Sequence, residues 1–93
     1  MHKLHVFVDI FVESPLMDEV VEALSRLENV EELYEVTGEF DIVSLVSAAD
    51  IEEFRGVLKN KIMKIPGVRS TVSSVVLQPH KGPKCEAVSN QDS

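Results

Sequence analysis

Leu4-His5-Val6-Phe7-Val8-Asp9-Ile10-Phe11-Val12 is the stretch on which the architecture turns. Leu4, Val6, Val8, Ile10 and Val12 fall on every second position, the period of a strand with one apolar face. The opposite face carries Lys3, His5, Phe7, Asp9 and Phe11, a mixture unusual for a surface that meets only water. Downstream, Ser14-Pro15 reads as a helix start, with Ser14 as N-cap and Pro15 at the first helical position. Met17, Val20, Val21, Leu24 and Leu27 then mark one helical stripe, with Asp18, Glu19, Glu22 and Arg26 off it. Glu28-Asn29 ends this helix.

Residues 30–37 read as a second strand, and Thr37-Gly38-Glu39-Phe40-Asp41 as a turn in which Gly38 is free to take a positive φ. Residues 42–47 form a third strand. Asp50, with Glu53 three residues later, has the spacing of a capping box for a second helix. Its stripe is Ile51, Phe54, Leu58, Ile62 and Ile65, and Pro66-Gly67 stops it. Residues 68–77 give a fourth strand. The order β-α-β-β-α-β implies an α+β, ferredoxin-like plait of the dimeric α+β barrel type, with both helices on one sheet face. Phe7 and Phe11 then lie on the bare face, where a second copy would bury them. Residues 1–78 form the expected domain; residues 79–93, rich in polar and turn-forming residues, form an expected flexible tail.

The composition agrees with one small domain that relies on a partner. Ninety-three residues, 44% of them hydrophobic, bury too little surface for a large private core. A formal net charge of −7 argues against direct nucleic-acid binding, which phosphate repulsion disfavours. Cys85 is the single cysteine and cannot form an internal disulfide. The N-terminus has no continuous apolar segment of the signal-peptide kind, and no run is long enough to span a membrane. A cytoplasmic location is the expectation.

Two stretches carry a family resemblance: Val36-Thr37-Gly38-Glu39-Phe40-Asp41, and Ile65-Pro66-Gly67-Val68-Arg69-Ser70-Thr71-Val72-Ser73. Both, in this order and spacing, resemble the signatures of the effector-binding (RAM) domain of Lrp/AsnC, or feast/famine, transcriptional regulators. The resemblance covers about residues 4–77. It implies sheet-to-sheet dimers that assemble further, with amino acids or similar metabolites bound between dimers. Full-length regulators of this kind carry an N-terminal helix-turn-helix module. This chain begins almost at the first strand, so a stand-alone domain is expected. Leu16 departs from the glycine that many relatives have after the proline.

A zwitterionic ligand needs donors for its carboxylate and an acceptor for its ammonium. Around the turn, Thr37, Gly38, Glu39, Phe40 and Asp41 are candidate binding residues, with Gly38 exposing backbone N–H groups and Asp41 facing the ammonium. Thr71 and Ser73, two apart on a strand, share a face and offer hydroxyls. The same residues also suit an ordinary hairpin and an ordinary strand. Asp41, as a turn carboxylate, is expected to contribute little to stability.

Nothing in the sequence points to catalysis, a metal or a cofactor. His2 and His5 fall on opposite faces of a regular strand, and His80 and Cys85 lack companions at zinc spacing. Charge is uneven: residues 18–41 hold nine carboxylates against Arg26 alone, while residues 55–69 hold five basic residues and no acid. That pattern fits solvated helix faces or a head-to-tail contact between dimers. Two other functions fit the same plait. One is a ligand-free subunit that co-assembles with full-length regulators. The other is a small monooxygenase or haem-degrading enzyme, for which His5 and Asp9 are the only interior candidates.

Overall fold

The alternation in the first strand is borne out in the computed structural model, which describes residues 3–82. His2, Cys85 and residues 83–93 of the expected tail lie outside the described residues. β1 (Leu4–Val12) buries Val6, Val8, Ile10 and Val12, while Phe7 between them is exposed. A short 3₁₀ turn (Ser14–Leu16) leads into α1 (Met17–Ser25). Then follow β2 (Val30–Glu35), β3 (Ile42–Ala48), α2 (Ile51–Val57) with a π turn (Leu58–Ile62), and β4 (Val68–Val75). The sheet order is β2-β3-β1-β4, with all neighbours antiparallel. This is the ferredoxin-like α+β fold expected from the element order. β1 is central, which explains why its inner face is entirely apolar.

The core lies between the sheet and the helices. Val6, Val8, Ile10, Ile42 and Val46 meet Val20 and Leu24 of α1, Phe54 and Val57 of α2, and Ile62. Full burial of such side chains is worth ~1.5–3 kcal/mol each, so this layer supplies most of the driving force. One polar residue sits inside it: Ser44 is fully buried, and its hydroxyl donates to the Val8 carbonyl at 3.0 Å. The bond stitches β3 to β1 and removes the penalty of an unpaired buried hydroxyl.

Local signals and the structure part at several points. Ser14 does not cap α1. Glu13 holds the N-cap position of the 3₁₀ turn without a side-chain hydrogen bond, and Leu16 N–H donates to the Glu13 carbonyl at 2.8 Å. That tight turn delays the α-helix to Met17. β2 ends at Glu35 rather than residue 37, and β4 at Val75 rather than residue 77. Ile51, expected on the buried stripe of α2, is 46% exposed, and Val57 takes the buried position instead. The second cap is as expected. The Asp50 carboxylate accepts from Glu53 N–H at 2.8 Å, and Glu53 reaches back to accept from Ala49 N–H. Asp50→Ala therefore costs ~0.5–2 kcal/mol. Urea unfolding checks this; an unchanged midpoint would show that the cap contributes nothing.

Candidate functional site

The two stretches that stand out in the sequence come together at one end of the sheet, on either side of β1. The Asp41 N–H donates to the Ile10 carbonyl at 3.1 Å, and Val36 N–H donates to the Asp41 carbonyl at 3.0 Å, closing the turn. On the other side, Glu13 N–H donates to the Gly67 carbonyl at 2.9 Å. Both turns need glycine, since Gly38 has φ +121° and Gly67 has φ +103°.

Asp41 has a structural task that its position in a turn does not reveal. Its Oδ2 accepts from the backbone N–H of Val12 at 2.7 Å, 29 residues away in sequence. Val12 stands where pairing with β4 loses register. Phe11 pairs with Ser70 and Val12 with Val68, so Arg69 is an extra residue without a partner across the ladder. This is a β-bulge, a device that re-aims a side chain. Strict alternation would put Arg69 and Ser70 on opposite faces; with the bulge, both line a cleft with Phe11. The cleft has a volume of about 410 Å³ and is open to solvent. Phe40, from the turn, packs against Phe11 with ring centroids 4.8 Å apart and planes tilted by 51°. That separation lies in the range favoured by aromatic pairs.

The candidate residues divide accordingly. Phe40 and Asp41 reach the end of β1, while Thr37, Gly38 and Glu39 are exposed on the turn. Thr71 and Ser73 do share a face, but they pair with Ile10 and Val8 and so lie on the helix side of the sheet. They are not beside Phe11 and Ser70, which lie on the open side. Arg69 and Ser70, not nominated from sequence, take the place next to Phe11. Only the cross-strand register could have identified them.

The open face also holds Phe7, Leu45, Val72 and Tyr34, on strands whose register aligns them. Phe7 is 44% exposed and Val72 46% exposed, so no helix among the described residues covers them. Tyr34 donates its hydroxyl to Glu32 at 3.0 Å, and this hydrogen bond to a carboxylate pushes the phenol pKa up. At the far end His5 Nε2 lies 3.6 Å from Glu31 Oε1. His5 is thus engaged with a surface carboxylate. Among the described residues no cluster of His, Cys, Asp or Glu is arranged to hold a metal ion. Nor is any of their helices long and apolar enough to cross a membrane.

Comparison with known proteins decides the family, because a sequence profile of the Lrp/AsnC ligand binding domain matches residues 5–84. The chain belongs to the Lrp/AsnC family. An uncharacterised HTH-type transcriptional regulator of Pyrococcus abyssi is 34% identical over 80 residues, 86% of this chain and 51% of the regulator. This Lrp/AsnC domain thus spans about half the length of the curated relatives it matches. A crystal structure from Thermus thermophilus superposes with a TM-score of 0.79 at 30% identity, covering 85% of this chain and 99% of that one. A feast or famine regulatory protein from M. tuberculosis, crystallised with L-methionine, gives a TM-score of 0.75 at 30% identity. That match covers 86% of this chain and 54% of the regulator. The curated relatives of this chain include HTH-type transcriptional regulators of Pyrococcus abyssi and a leucine-responsive regulatory protein of Haemophilus influenzae.

Proposed function

We propose that this chain is a non-enzymatic effector-binding and oligomerisation module that senses an amino acid or a similar small metabolite in the cytoplasm. The observation that carries the reading is the junction at the end of β1. There the turn bearing Phe40 and Asp41 is fastened to Phe11 and Val12, and Phe11 lines one open cleft with Arg69 and Ser70 of the bulged start of β4. The M. tuberculosis relative, crystallised with L-methionine, supports an amino acid as the ligand class. Thr37, Gly38 and Glu39 border the same end of the sheet, and Thr71 and Ser73 become binding residues only if a neighbouring subunit approaches the helix side. The domain is taken as residues 1–78, with residues 79–93 as a tail. A free-standing mode of action finds support in the Thermus thermophilus chain, of which this domain covers 99%. A net charge of −7 fits a domain that does not itself grip nucleic acid.

A thermal-shift screen against the twenty amino acids tests this. A ligand that binds only the native state stabilises it by ~2.7 kcal/mol at a hundredfold excess over Kd. No shift with any amino acid would defeat the sensor reading, leaving co-assembly with full-length regulators in its place.

The open face is proposed as the contact with a second copy, with Phe7 within it and Phe11, next to the last residue of β1, at its edge beside the cleft. Phe7→Asp puts a charge into that contact and converts the dimer to a monomer. Light scattering reads the result directly. A parent protein with a mass near 10.4 kDa would refute the dimer outright.

A further inference from the structure

Among the described residues that line the cleft beside Phe11, the charged one is a cation, Arg69. Arg69 is the extra residue of the β4 bulge, which brings it onto the same side as Ser70 and Phe11. The ion pairs among the described residues join His5 to Glu31 and Arg26 to Glu22, and neither involves Arg69. No carboxylate is among the described residues that line the cleft, and the Oδ2 of Asp41, across β1, accepts from Val12 N–H at 2.7 Å. Phe11, with Phe40 packed against it, supplies an apolar wall.

A planar guanidinium with free N–H groups matches a carboxylate in bidentate fashion. Among the described residues that line the cleft, an ammonium group would find the Ser70 hydroxyl and no carboxylate, besides electrostatic opposition from Arg69. We propose that Arg69 is the carboxylate anchor of this cleft and that the ammonium of an amino acid is dispensable there. The ligand class then extends to carboxylates that lack an amine, notably 2-oxo acids with an apolar side chain lying along Phe11. This inference rests on the effector-site reading above. The cleft, about 410 Å³, is within the ~300–1,000 Å³ usual for small-molecule sites. Because Arg69 is exposed, binding is weak, with Kd on the order of millimolar.

Titration of the full chain with four probes separates the two halves of the ligand: phenylalanine, phenylpyruvate, 3-phenylpropionate and 2-phenylethylamine. The two acids without an amine bind within about threefold of phenylalanine, and the amine without a carboxylate does not bind. Arg69→Gln weakens every acid at least tenfold, and Arg69→Lys restores only part, having the charge without the fork. Both variants keep the parent melting temperature, since the side chain makes no ion pair to lose. Phenylalanine binding with 3-phenylpropionate inert, or unchanged affinity in Arg69→Gln, would overturn the anchor while sparing the effector site. Failure of all four probes, together with a flat amino-acid screen, would remove the effector site and the anchor with it.

Discussion

Gly67→Ala destabilises the fold by about 2–5 kcal/mol. Two effects add. At φ +103° an L side chain strains the backbone, a cost of ~1–2 kcal/mol. The new Cβ would also stand 2.8 Å from Leu16 Cβ and 2.8 Å from Val20 Cγ2, distances that real packing does not allow. Overpacking of this kind costs ~1–3 kcal/mol. Val20 is fully buried and cannot swing into solvent, so the strain passes to the start of α1. Gly38→Ala is the matched control. Gly38 has φ +121°, but nothing lies within 4 Å of its would-be Cβ, so only the backbone cost applies. Denaturant midpoints of the two variants separate strain from steric overlap. A Gly67→Ala loss no larger than that of Gly38→Ala would show that Leu16 and Val20 yield freely.

Asp41→Ala costs ~1.5–3 kcal/mol, the range for removing a hydrogen bond to a charged group. Val12 is 5% exposed, and its N–H sits at the bulge, where the Asp41 carboxylate is its acceptor. Alanine leaves that donor without its partner and frees the turn that carries Phe40. Asp41→Asn keeps an acceptor oxygen and loses less. Equilibrium unfolding of both variants decides the matter: equal stability of Asp41→Ala and the parent protein would dismiss the bond as incidental. Loss of ligand binding in Asp41→Ala is expected too, yet it would not distinguish a ligand contact from a collapsed turn. Arg69, which holds nothing together, is the cleaner probe.

Legibility in the sequence follows the range of the interaction. β1 is plain because one period fixes its buried face, Leu4 to Val12, without reference to any other segment. Asp50 is equally plain, since its partner Glu53 lies three residues away. Ser14 misleads because the same Ser-Pro pair suits a 3₁₀ turn as well as a helix cap, and only the bond from Leu16 to Glu13 distinguishes them. The site is legible in part. Its two stretches are visible, and their meeting at β1 follows from the strand order. The roles within it are not. Whether Asp41 faces a ligand or Val12 depends on a contact across 29 residues. The face on which Arg69 lies depends on how β4 registers against β1, and alternation within β4 points the wrong way.

A second bulge mirrors the first. On β2, Val30 pairs with Val46 and Glu32 with Leu45, leaving Glu31 as the extra residue. Such positions are the only ones in a sheet where the chain can shorten by a codon without inverting the faces of everything beyond. Loss of Val72 would turn Ser73, Ser74 and Val75 inside out, whereas loss of Arg69 would draw Val68 and Ser70 into regular pairing with their present neighbours. Glu31 and Arg69 are therefore the places where descent can add or delete a charge in one genetic step and keep the fold. Lineages of this domain can change the charge at either end of the sheet by length as well as by substitution.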